Sequence, residues 1–339
     1  MKNIRLLAIH LFLLAVLLVL TVILCPLYGP SDSSFSIQRA LDRSIPYEQN
    51  MDAVIFYTTR LPRVLFGALV GFGLAIAGAA FQALLRNDLA TPYTLGLSGG
   101  SSLGALLAMH FGAALLHRSL LVPAGAFAGA FSVVLFIGLI AGHYKKGFST
   151  NTLLLAGVTL NLLFSSFILL LQYLSDPFQT FKMIRWMMGG LDIADIQIPL
   201  YLCLPVVLCG AWVCSYSRSL DLLSLGEEAA LHLGVEVRRA RWITLFGSGL
   251  MTSILVAYSG PIGFVGLIVP HTLRRLYGPG HRFLLPASGL FGASFLVWCD
   301  TLARTLFTGI EIPVGVITAF LGGPFFLFIL LRSMHGSER

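Results

Sequence analysis

The chain has 339 residues, 57% of them hydrophobic and 11% charged, with a mean hydropathy of +0.86. A soluble domain carries about 25% charged residues, so this composition excludes a soluble globular protein. The formal net charge of +7 could point to nucleic acid, but its distribution along the chain points to a membrane instead.

Uncharged stretches fall at about 6–25, 64–85, 93–116, 119–142, 152–173, 196–216, 242–259, 261–273, 283–303 and 312–331. Apolar runs of about 18 residues or more read as membrane spans. The pattern predicts an all-α polytopic membrane protein of about ten transmembrane helices, forming one domain over 1–339. The first stretch, Leu6–Cys25 after Lys2 and Arg5, exceeds the roughly 7–15-residue core of a cleaved signal peptide and is expected to be a retained span. Cys25, Cys203, Cys209, Cys214 and Cys299 lie in or beside apolar runs, without CxxC or Cys/His ligand spacing. They are read as packing residues, and no metal site is expected.

Ten crossings put both termini on one side. Placing them in the cytoplasm gathers most of the basic residues there, among them Arg86, Lys145, Lys146, Arg218, Arg238 and Arg274, while acids and bases balance outside. That is the positive-inside pattern, not a nucleic-acid footprint. Two long loops, 26–63 and 174–195, then lie outside, and the second is expected to hold a short helix around FKMIRWMMGGLD. Small residues at four-residue spacing (Gly67/Gly71, Gly96/Gly100/Gly104, Gly125/Gly129) allow helices to pack closely in lipid.

Enzyme signatures are nearly absent: there is no HExxH, no P-loop and no paired carboxylate in a span. GLSG, Gly96–Gly99, fits the GxSG of intramembrane serine proteases, with Ser98 as nucleophile and His271 as the imagined base. These glycines belong to the packing run, and TLRRLYG follows His271, so packing is the preferred reading. The other histidines are scattered and read as structural.

The stretch SLDLLSLGEEAALHLGV, 219–235, lies in the longest inner loop and reads as two short helices broken at Gly226. Leu222, Leu223 and Leu225, then Ala229, Ala230 and Leu233, supply apolar faces. Glu227 and Glu228 open the second helix, where negative charge is favoured, and Gly234 stands where a C-cap glycine would. A helix lying on lipid is usually rich in Lys and Arg on its polar face, and none occurs between Arg218 and Arg238. The segment is therefore expected to seat in a cytosolic protein partner.

GPIGFVGLIVPH, 260–271, is too short to cross as a straight helix and is interrupted by Gly260, Gly263, Gly266 and Pro270. Non-helical backbone at membrane depth survives only in protein or beside a cavity. The segment is a candidate wall of a transport path, or else a tight turn feeding a short helix. Asp300 and Arg304, at i and i+4, form either a functional pair or a self-satisfied one that ends the span.

Six blocks carry a resemblance to a known family: RLPRVLFGALVGFGLAIAGAAFQALLRNDLATPYTLGLSGG from Arg60, STNTLLLAGVTL from Ser149, WMMGGL from Trp186, LLSLGEEAALHLGV from Leu222, GPIGFVGLIVPHTLRRLYGPGHRFLLP from Gly260 and CDTLARTLFTGIEIPVGVITAFLGGPFF from Cys299. In this order they resemble the FecCD-type permeases of ATP-binding-cassette (ABC) importers for iron–siderophore complexes, haem and cobalamin. Asp88 departs from the usual proline after Asn87, and Ser101 from the alanine common after Gly100. The resemblance implies the type II importer fold, a homodimer in the bacterial inner membrane with the path on its two-fold axis, and two separate ATPase subunits that bind ATP and Mg. It implies that 219–235, with Leu222, Leu225, Gly226, Glu227, Glu228, Ala230, Leu233 and Gly234, are coupling helices in an ATPase cleft. It implies that Arg60, Arg63 and Arg304 face outward to glutamates of a periplasmic or lipid-anchored substrate-binding protein. It places Ser149, Thr150 and Asn151 near the cytoplasmic gate. The rival readings are an ion-gradient-driven carrier using Asp300, and the protease. Lipid anchoring of span ends is the alternative for the arginines.

Overall fold

In lipid, an apolar chain must satisfy its own backbone N–H and C=O groups, and the helix is the solution open to long runs such as these. The computed structural model describes residues 2–29, 35–42, 44–112, 118–143, 150–193, 195–307 and 309–336. It contains helices α1 (Lys2–Leu24), α2 (Ile37–Ala40), α3 (Met51–Ile55), α4 (Leu61–Leu85), α5 (Leu97–Phe111), α6 (Arg118–His143), α7 (Thr150–Leu174) and α8 (Pro177–Met187). There follow α9 (Gln197–Ser215), α10 (Ser217–Ser224), α11 (Glu227–His232), α12 (Val237–Ser259), α13 (Val265–Tyr277), α14 (His281–Thr305) and α15 (Val314–Gly336). No strand occurs among the described residues. Seven helical stretches are long and apolar enough to cross a membrane, from α1, α4, α6, α7, α9, α12 and α14. The shorter α5 and α13 and the apolar part of α15 bring the membrane elements to about ten, matching the expected segments.

Helix α4 is the centre of the bundle, packed against α14, α12, α13 and α9. Its glycines permit this. A Cβ on Gly71 would meet the Gly292 carbonyl of α14, and one on Gly78 would meet the Gly266 backbone of α13. Gly100 and Gly104 of α5 face Gly129 and Gly125 of α6 in the same way. The four-residue small spacing therefore marks helix crossings, as expected from sequence. Helices α1 and α7 are peripheral, and most of their apolar surface is uncovered.

The second long loop does hold a helix, α8, whose N-cap Asp176 accepts from the N–H groups of Phe178 and Gln179. The short eighth segment is broken as expected: residues 260–264 are non-helical and only α13 follows. Its neighbours supply the missing backbone partners. Gly190 N–H donates to Ser259 O at 2.8 Å, and Ile262 N–H to the Tyr93 hydroxyl at 3.2 Å. Phe264 holds φ +68°, and its ring lies where a Cβ on Gly322 would be.

Candidate functional site

Helix α14 connects two clusters of polar side chains. At its N-terminal end stand α10 and α11, built from the stretch rich in leucine and acid. Leu220, Leu223 and Ala230 turn inward and are buried, while Leu225 (69% exposed), Leu231 and Leu233 point away from the bundle. Leu222 is half-buried and Glu228 exposed. Ala230, expected on the partner-facing side, is 0% exposed. The six-residue α11 packs against α10 and α12, with Ala230 buried on its inner face.

Both glycines of this segment have positive φ, +127° at Gly226 and +80° at Gly234. Gly234 closes α11 as expected: Val235 N–H reaches Ala230 O at 3.0 Å and Gly234 N–H reaches Leu231 O at 3.0 Å, the paired bonds of a Schellman end.

Glu227 does not project toward a partner. It takes two parallel bonds from Arg241 of α12, Nη1 to Oε1 at 3.0 Å and Nη2 to Oε2 at 2.9 Å. Asp221 of α10 also turns inward. One of its oxygens accepts from both the backbone N–H and the ring Nδ1 of His281, each at 2.7 Å. The sequence reading missed both partners, because nothing in the spacing of Glu227 and Arg241, or of Asp221 and His281, reveals contact.

At the C-terminal end of α14 the three singled-out arginines do come together, but turned inward. Asp300 (1% exposed) lies between Arg63 and Arg304. Arg63 Nε is 3.0 Å from one carboxylate oxygen, and Arg304 Nε is 3.0 Å from the other. Arg63 Nη1 also reaches Asp192 at 2.8 Å and Glu311 at 2.7 Å. Arg304 donates to Tyr28 O, while Arg60 donates to the carbonyls of Pro26 and Leu27 and lies 3.8 Å over the Phe35 ring. Arg60 and Arg63 are 6% exposed and Arg304 2%. A guanidinium at the rim of an apolar bundle takes the nearest acceptors, and here the acids and loop carbonyls of this chain supply them. Asp192 and Glu311, which sequence reasoning did not single out, complete the cluster.

Along the broken segment, Gly266 abuts α4 at Leu74 and Gly78, Gly260 abuts Trp186 O, and Gly263 faces open space. Pro270 is buried within α13. Thr150 and Asn151 open α7 and border a shallow depression with Arg86, Asn87 and Asp88. Ser149 lies outside the described residues. Asp88, the departure from the family pattern, has a partner: Arg274 of α13 at 2.7 Å, whose other branch reaches Gln82. The imagined protease pair is not formed. His271 packs edge-on to Phe325 and Phe326, and its Nε2 has no hydrogen-bond partner.

Residues 14–332 match the model of the FecCD transport family. The chain belongs to that family. Other members share its length: a hemin transport system permease of Yersinia pestis is 41% identical over 285 residues, 82% of this chain and 83% of that protein. A vitamin B12 import system permease of Klebsiella pneumoniae is 39% identical over 281 residues, 83% of each chain. A molybdate import system permease of Haemophilus influenzae is 37% identical over 289 residues, 83% of this chain and 82% of that one. A solved structure described as an inward-facing conformation of a metal-chelate type ABC transporter superposes with a TM-score of 0.80 at 34% identity, covering 96% of this chain and 99% of that one. As a FecCD member with seven long apolar helices, the chain is a multi-pass membrane protein.

Proposed function

We propose that this FecCD member is the permease subunit of a binding-protein-dependent ABC importer, working as a homodimer with two ATPase subunits that bind ATP and Mg. The substrate class runs from iron–siderophore complexes to haem and cobalamin. The molybdate relative extends that class to a small oxyanion. Both termini and the α10–α11 end face the cytoplasm of a bacterial inner membrane, in keeping with the distribution of basic residues. The observation that carries the reading is the α10–α11 pair: short helices fastened to the bundle by their acids, with Leu225, Leu231 and Leu233 left uncovered for a partner. Leu155, Leu162 and Leu169 recur every seven residues on the uncovered face of α7, where a second copy packs beside the path. Gly260, Gly263, Gly266 and Pro270 shape that path, with Thr150 and Asn151 at its inner gate.

Docking of a binding protein is assigned to the Asp300 end, through Arg60, Arg63 and Arg304. Since these are engaged in this conformation, an incoming glutamate reaches Arg63 by displacing Asp192 or Glu311, both partly exposed. A carrier using Asp300 as a cation site is disfavoured, because guanidinium groups already hold both of its oxygens. Leu225→Asp tests the coupling role. An apolar anchor in a packed socket contributes about 2 kcal/mol or more, so ATPase subunits should fall away in pull-down while the permease stays inserted. Full retention of the ATPase would reject the assignment.

A further inference from the structure

The α10–α11 segment is too short to hold itself in place. Helices of eight and six residues are far below the length at which an isolated helix persists in water. Apolar contacts seat them on the bundle, through Leu220, Leu223 and Ala230, but such contacts are non-directional and permit sliding. Direction comes from two carboxylates.

Asp221 ties α10 to α14. The N-cap of α14 is Gly280, which has no side chain to offer, and Asp221 supplies the capping oxygen from another helix. Its charge also faces the positive end of the α14 dipole. An ionised carboxylate only accepts, so the His281 Nδ1 carries the hydrogen. The His281 Nε2 is buried without a hydrogen-bond partner, which leaves Asp221 as the ring's polar anchor. Glu227 ties α11 to α12 through the two-pronged bond from Arg241, a geometry that fixes orientation as well as distance. Each short helix is thus pinned by one acid to a different long helix.

We propose that Asp221 and Glu227 are positioning residues that make the coupling segment move as one body with α14 and α12. Motion imposed at α10 then reaches Asp300 along α14, about 28 Å from His281 at 1.5 Å per residue, and Arg304 one turn further on. The inference rests on the coupling role proposed above.

The test uses the complete importer in nanodiscs, with ATP as the probe. Spin labels at Thr305→Cys, an exposed site at the far end of α14, report the distance between the two copies with and without nucleotide, in a background lacking the native cysteines. Asp221→Ala and Glu227→Ala should keep the ATPase in pull-down, yet the ATP-induced distance change should fall to roughly half or less, within the range of ordinary coupling losses. Exchanging the pair, Glu227→Arg with Arg241→Glu, should restore most of it. Asp221→Asn and Glu227→Gln, which keep side-chain volume, stand in if the alanine variants do not insert. An undiminished distance change in these variants overturns the proposal, and so does loss of the ATPase while Leu225 is intact. Leu225→Asp separates the two readings: ATPase retention in that variant refutes the coupling role itself. Its loss, alongside normal responses in the Asp221 and Glu227 variants, refutes only the positioning role.

Discussion

The two ends of α14 use the same chemistry, a carboxylate against a basic side chain, in opposite surroundings. At the C-terminal end one buried acid, Asp300, is shared by two buried arginines, and Asp192 and Glu311 close over Arg63 from separate loops. At the N-terminal end each acid serves one base, and Asp221 and Glu227 remain partly open to solvent. Asp300, Arg63 and Arg304 are all removed from water, so deleting any one of these three strands a buried ion. A half-exposed acid leaves water as a substitute. One end is therefore built as a lock, and the other as a mount that can be released without unfolding the bundle.

Three substitutions probe this contrast, from the largest expected effect to the smallest. Asp300→Ala leaves Arg63 and Arg304 buried without their shared acid and should destabilise the permease by about 3–5 kcal/mol. Thermal unfolding in detergent would read this, and a wild-type midpoint would break the comparison. Glu227→Ala removes only the two-pronged bond to Arg241, at about 1–3 kcal/mol. The same assay should place it clearly between wild type and Asp300→Ala, and a loss equal to that of Asp300→Ala would mean the mount is as locked as the far end. Arg185→Ala removes the exposed Arg185–Asp192 contact at 3.5 Å, with Arg185 60% exposed. Its effect should be about 0.5 kcal/mol or less. A larger shift would show that the rim of the Asp300 cluster, and not its buried centre, carries the stability.

The class of fold was legible because its signals are local. Apolar run length marks a span, four-residue glycine spacing marks a crossing, and Gly226 and Gly234 punctuate the two short helices α10 and α11 wherever the rest of the chain lies. The broken 260–264 segment was legible for the same reason, since Gly260 and Gly263 interrupt an otherwise helical run. Site residues were legible by type but not by direction. Ala230 was expected to face a partner and is buried in the core of this chain. Glu227 was expected to tip a free surface and is held by Arg241. The three arginines were expected to reach outward and are held by this chain's own acids and carbonyls.

From the sequence alone come a polytopic all-α protein, the positions of its spans, the crossings set by its glycines, and the family resemblance carried by six ordered blocks. Each depends on composition or on spacing within one helix, where a side chain's neighbours are three and four residues away. Only the tertiary structure decided that Asp221 caps α14 across 60 residues of chain, that Glu227 meets Arg241, and that Asp88 meets Arg274 across 186. Such pairs are chosen by which helix ends the packing brings together. A charge at a span end carries no local mark of the partner it will meet, and tertiary packing supplies that partner.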